Sequence, residues 1–178
     1  MKTYFYCALA VLLAFIQLSF FSSFYIFGAT VSIVLVMLLA LIITKDTRNA
    51  YFCALASGLV LDMHSELFFG HITLLLLLVV FLSTLILKIF LEHSTIFAKV
   101  ALSFIATIGF ALLQYVFLYG LHVVGVVGLK PILTFEGIVD VFISAILNTL
   151  VLFLVVKGIL FFNMYFDKRE YRSNSFIS

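Results

Sequence analysis

The sequence predicts an all-α, polytopic membrane protein with six transmembrane helices in one bundle. Two observations of composition and one of charge carry that prediction. Of the 178 residues, 66% are hydrophobic and only 10% charged, with a mean hydropathy of +1.35. A soluble domain is about half apolar and about a quarter charged. The apolar residues also come in long runs, and a membrane span takes about 20 of them, so the chain supplies about six. The third observation is that nine of the ten basic residues fall on one side once those runs are numbered as spans. A transmembrane β-barrel is excluded, because its strands alternate apolar and polar residues, whereas residues 74–80 read Leu-Leu-Leu-Leu-Leu-Val-Val.

Residues 4–43 are 40 nearly unbroken apolar positions, about 60 Å as helix and about twice a bilayer core. The segment must therefore fold back once. Ser19, Ser22 and Ser23 mark the turn, giving helices over residues 4–21 and 24–43. Met1-Lys2 before an apolar run imitates a signal peptide, but Phe20 and Phe21 stand where small cleavage-site residues belong, so the first helix is expected to be retained. A polar loop, Thr44-Lys45-Asp46-Thr47-Arg48-Asn49, follows.

The third segment, 50–61, is only 12 apolar residues, about 18 Å and too short to cross alone. Extended to 50–69 it spans, and takes Asp62, His64 and Glu66 to or into the membrane boundary. Spans at 72–91, 99–124 and 138–162 follow, the last two separated by a loop holding Pro131, the only proline. Residues 1–166 thus read as one six-helix domain. Residues 167–178 read as a short polar cytoplasmic tail, expected to fray at its end. Lys2, Lys45, Arg48, Lys88, Lys99, Lys157, Lys168, Arg169 and Arg172 share one side, and only Lys130 lies on the other. This is the positive-inside pattern, with both termini cytoplasmic. Asp62, Glu66, Glu136 and Asp140 collect on the outer side.

Nucleic-acid binding does not fit a net charge of +2 with no basic stripe. The chain has no Gly-rich phosphate loop, no His-Glu-x-x-His motif and no cysteine pair at metal spacing. No cofactor, metal site or catalytic set is expected. Cys7 and Cys53 sit in apolar runs and read as small hydrophobes.

Polar residues inside a membrane are costly and point to function by default. Asp62 leads them, since the third helix spans only with this carboxylate in it or at its outer end. Glu136, Asp140, Ser144 and Asn148 recur every four residues and share one face of the last helix. That face is expected to turn inward, because lipid offers no hydrogen-bond partner, with Asn148 deepest and paired to Gln114. Ala50, Ala54, Gly58 and Asp62 form a small-residue face on the third helix. Ala10 and Ala14 form a second small pair on the first. Tyr4, Tyr6, Tyr51, Tyr165 and Tyr171 fall near span ends, as interfacial anchors do. An intramembrane aspartyl peptidase using Asp62 and Asp140 as a dyad is one alternative, although the flanking residues lack the signatures of lipoprotein signal peptidases.

Gly58-Leu59-x-x-Asp62, about seven residues, then Gly70 opening a Leu/Val-rich helix resembles the bacterial rod shape-determining MreD family. Length, span number and an Asn inside the last helix are similar as well. His64-Ser65-Glu66 after the Asp, and the lack of an early proline, depart from the family pattern. The resemblance implies a bundle similar to the substrate-binding component of energy-coupling-factor transporters. It also implies a non-enzymatic scaffold of the cell-elongation complex in the bacterial inner membrane. Its implied partner is an MreC-like membrane protein. MreB, RodA and the elongation transpeptidase are connected indirectly, and membrane lipid surrounds the bundle. On this reading Ala54, Gly58, Leu59, Asp62 and Gly70 are the partner-binding or helix-packing residues. Gln114, Glu136, Asp140, Ser144 and Asn148 form the intramembrane polar face. The shared fold also suggests an alternative, a substrate-capturing transporter component that docks through Ala10-x-x-x-Ala14. Its site would gather Asp62, Glu66, His71, His122, Glu136 and Asp140.

Overall fold

Nine consecutive residues, Val34 to Ile42, are all buried, and the helix they form organises the molecule. The computed structural model describes residues 2–21, 31–65, 69–90, 96–126 and 134–174. Those residues form α1 (Lys2–Ile16), prolonged by a π-helical turn (Gln17–Phe21), then α2 (Ile33–Ile43) and α3 (Thr47–Asp62). α4 (His71–Phe90), α5 (Ile96–Val123) and α6 (Phe135–Asn174) complete the order, with no strand among the described residues. α2 is apolar on every face, and such a helix belongs inside. It touches each of the other five, which follow one another around it in the order α1, α3, α4, α5, α6.

Side-chain size explains the tightest contacts. Ala10 and Ala14 of α1 and Ala50, Cys53 and Ala54 of α3 are buried in one core cluster where α1 packs on α3. Small residues on both surfaces let the two backbones approach. Tyr6 is buried beside them, so it is a core residue and not the interfacial anchor its position suggested. Tyr4 is exposed, as an anchor is, and the side chains of Tyr165 and Tyr171 lie outside the described residues. α5 and α6 keep large apolar side chains outside, among them Leu112, Val116, Leu150 and Leu154. A surface of that kind suits lipid better than water.

Three helices are long and apolar enough to cross a membrane, over His71–Ile89, Phe97–Val123 and Phe135–Phe161. α1, α2 and α3 are shorter. Expected and observed elements agree closely for α1, α4 and α5, and differ at three other places. α2 begins at Ile33 instead of residue 24, and residues 22–30, with the expected serine turn at Ser22 and Ser23, lie outside the described residues. α3 stops at Asp62 and does not continue to residue 69. At 16 residues it is about 24 Å long. α6 runs on to Asn174, well into the segment read as a tail. Its 40 residues make a rod of about 60 Å. Pro131, Lys130, Glu66 and His93 lie outside the described residues.

The α2–α3 connection shows how the short helices are punctuated. Asp46 N–H donates to Leu41 C=O (2.9 Å) and Lys45 N–H to Ile42 C=O (3.0 Å), the Schellman pattern. Lys45 occupies its left-handed position at φ 63. Asn49 Nδ2 then donates to Asp46 Oδ2 at 2.8 Å, securing the start of α3.

Candidate functional site

An α-helix begins with backbone N–H groups that have no partner inside the helix. In water they bond solvent, but in a bundle interior they need side-chain acceptors. Two helices of this protein start at one end of the bundle, and both take their acceptors from neighbouring helices.

Asp62 serves α4. Its Oδ1 accepts from Ile72 N–H (2.8 Å), and its Oδ2 from Thr73 N–H (3.0 Å) and from Thr73 Oγ1–H (2.5 Å). Those are the second and third residues of α4, the donors an N-cap side chain normally satisfies, so the cap comes from α3. The negative charge also faces the positive end of the α4 dipole, worth about 0.3–1 kcal/mol and up to about 2 when partly buried. His71 Nδ1 lies 3.3 Å from Asp62 Oδ1 and 3.4 Å from Ser65 Oγ. The imidazole ring stacks on Phe117 of α5, with centroids 5.8 Å apart. Asp62 is only 3% exposed. It is therefore not a solvated headgroup-level carboxylate but the clasp of the α3–α4 hairpin.

The two glycines of the pattern follow from the same hairpin. A Cβ on Gly58 would stand 2.7 Å from Thr73 Cα, so only glycine allows Thr73 close enough to reach Asp62. Gly70 has φ +98, a conformation in which glycine alone is unstrained, and it turns the chain into α4. Ala54, Gly58 and Asp62 are buried and Leu59 is half-buried. Of the two roles expected of these residues, partner binding or helix packing, Gly58 shows packing. Its open side is covered by Thr73, and the residues form packing inside the chain.

α2 is served from two directions. Gln17 Oε1, in the π-helical turn, accepts from Val34 N–H (3.1 Å), and Ser32 Oγ accepts from Leu35 N–H (3.4 Å). Asn148 Oδ1 of α6 accepts from Ser32 N–H at 3.0 Å. Asn148 Nδ2 donates to Thr107 Oγ1 (3.4 Å), and Thr149 Oγ1 lies 3.1 Å from Ser103 Oγ. Asn148 is thus the inward glue residue its position predicted, but its partners are Thr107 and Ser32. The expected pairing with Gln114 is not formed. Along the rest of that face, Ser144 and Asp140 are half-buried and Glu136 is exposed. Ser32, Thr107, Ser103 and Thr149 escaped sequence reading because a hydroxyl in an apolar helix usually bonds its own backbone. Thr107 and Thr149 do that as well, toward Ser103 C=O and Ala145 C=O.

Between the two capped starts lies a cavity of about 330 Å³. Gln17, Ser32, His64, Ser65 and Gln114 bring polar groups to it, and Phe110 and several aliphatic side chains complete the wall. An apolar crevice between the diverging ends of α5 and α6 also borders Gln114. Of the acidic and histidine side chains expected to converge, Asp62 and His71 meet. No group of three His, Cys, Asp or Glu is placed to hold a metal among the described residues. Ala10 and Ala14 are covered by α3, so the small-residue stripe expected to dock a transport partner is spent inside the chain.

The fold and the site define an all-helical protein with three helices able to cross a membrane and two helix starts capped from neighbouring helices. Comparison with protein-family models, with curated proteins and with solved structures finds no match to this chain.

Proposed function

We propose that this chain is a six-span, multi-pass scaffold of the bacterial inner membrane that acts without catalysis, as members of the MreD family do. In this reading it docks an MreC-like partner, a protein with one membrane span and a periplasmic domain, and so supports side-wall peptidoglycan synthesis. MreB, RodA and the elongation transpeptidase are reached through that partner. The observation that carries the reading is the α3–α4 clasp. Gly58, Asp62 and Gly70, the residues on which the family resemblance rests, each do a separate job in one hairpin. A chance match of three letters has no reason to fall on three cooperating positions.

Other features support it. Both Asp62 oxygens are engaged by α4 and His71, which suits a structural carboxylate better than half of a proteolytic dyad. The buried Ala10 and Ala14 weaken the transporter-component alternative. The short α1, α2 and α3 are read as spans that cross with their polar ends sheltered by neighbours, which keeps nine of ten basic residues on one side.

Partner contact is assigned to the turn after α3, where Met63 is 73% and Phe69 65% exposed. Replacing Met63 by Asp should abolish co-purification of the single-span partner while leaving the melting temperature in detergent within about 2 °C of wild type, since exposed substitutions rarely shift stability. Full retention of the partner by Met63→Asp would remove the turn from the interface.

A further inference from the structure

We propose that Cys7 of α1 and Cys53 of α3 are a site of reversible oxidation, two thiols that close to one disulfide and tie those helices together. The proposal stands apart from the scaffold reading, because it rests on the α1–α3 contact alone.

Along the chain the two cysteines are small hydrophobes in separate apolar runs, and the fold brings them together. α1 packs on α3, with Ala10 and Ala14 on one side of the seam and Ala50 and Ala54 on the other, all of them buried. Cys7 stands one turn before Ala10, and Cys53 stands between Ala50 and Ala54, so each thiol belongs to the facing stripe of its helix. Alanines on both sides let the backbones approach closely. The two thiols share a hydrogen bond across the seam. A disulfide needs Cα atoms about 4.4–6.8 Å apart and Cβ atoms about 3.5–4.5 Å apart. Thiols already in contact across an alanine seam reach that geometry by side-chain rotation. Both cysteines are reduced here.

The pair is asymmetric, and the asymmetry sets the order of events. Cys53 is fully buried, whereas Cys7 is half-buried and lies beside the exposed Tyr4 and Ala8. A reagent therefore meets Cys7 first, and Cys53 resolves the adduct. The oxidant is an electrophilic two-electron acceptor, of which a diazenedicarboxamide is a simple case. The Cys7 S–H adds across its N=N bond, forming an S–N bond and placing the thiol proton on the second nitrogen. The Cys53 sulfur then attacks the Cys7 sulfur, the S–N bond breaks, and the Cys53 proton leaves on the departing nitrogen as the hydrazine. One S–S bond forms, the cysteines lose two electrons and two protons, and the diazene gains both. A dithiol reverses the change by exchange. A resolving cysteine in contact with the first keeps such oxidation on the reversible rungs of thiol chemistry.

The test oxidises the full chain, folded in detergent micelles, with excess diamide. The protein is then unfolded in sodium dodecyl sulfate and its free thiols are counted with a maleimide that adds visible mass. The expected result is a fall from two free thiols per chain to none, on a band that stays monomeric, with both thiols restored by dithiothreitol. Peptide mass spectrometry should find Cys7 joined to Cys53. With glutathione added, Cys53→Ser should leave Cys7 carrying glutathione, since nothing resolves the adduct, and Cys7→Ser should leave Cys53 unmodified. Two thiols still free after oxidation, a disulfide formed only between chains, or Cys53 modified as readily as Cys7 in the single-cysteine variants would each overturn the proposal. Partner co-purification plays no part in the readout, so failure here leaves the scaffold reading standing, and the reverse also holds.

Discussion

Asp62 carries more of this structure than any other single side chain. Its removal leaves two backbone N–H groups and the Thr73 hydroxyl without this acceptor in a buried place. An unsatisfied buried donor costs about 1–3 kcal/mol, so Asp62→Ala should destabilise the protein by about 3 kcal/mol or more. Asp62→Asn retains one acceptor oxygen and should cost roughly half as much. Chemical denaturation in detergent of the two variants measures the difference, and equal, negligible losses would contradict the clasp. Gly58→Ala tests the same hairpin from its other side. With Thr73 Cα in the way of the new methyl, an overpacking loss of about 1–3 kcal/mol is expected, readable as a lower melting temperature. Thr73→Gly, which deletes the crowding side chain, should not restore it, because the nearest contact is backbone.

Helix starts and stops separate what the sequence could tell from what it could not. The ends of α4 and α5 follow from the length of an apolar run, and reading the run locates them within a few residues. The start of α2 and the end of α3 lie inside apolar or mixed sequence. The first is set by acceptors that arrive from elsewhere in the chain, and the second goes with the reach of Asp62 to the start of α4. Ser32 is capped by Asn148, 116 residues away, and Ile72 and Thr73 by Asp62 across a turn. No local pattern encodes such a cap. The polar residues themselves were legible, for Asp62 and Asn148 both stand out in an apolar background, but their partners were not. Hydroxyl side chains such as Thr73 and Thr107 look like ordinary helix residues until the neighbouring helix is in view. At this scale Asn148→Leu is the informative change. It strands the Ser32 N–H and breaks the link from α6 through Thr107, at a cost of about 0.6–2 kcal/mol. Hydrogen exchange should quicken first at Ser32, with α4 amides unaffected. Uniform quickening across the bundle would place Asn148 in global stability instead of in the start of α2.

For the whole molecule, the apolar exterior of α4, α5 and α6 suits a surface solvated by lipid. On the proposed six-span reading both termini lie on the basic side. A reporter enzyme fused after Ser178 should therefore be active only if it functions in the cytoplasm, and activity of an extracytoplasmic reporter at that point would break the six-span reading. The bundle spends its small-residue faces on itself, through Ala10, Ala14, Ala54 and Gly58, and leaves exposed the turn beyond Asp62 and the long apolar flanks of α5 and α6. On the scaffold reading a partner meets it there. The most direct measurement is mild-detergent purification of the tagged chain from its own membranes, with stoichiometric companions identified by mass spectrometry. The scaffold account predicts a companion with one membrane span and an extracytoplasmic domain. A membrane transport subunit accompanied by paired ATPases would contradict it.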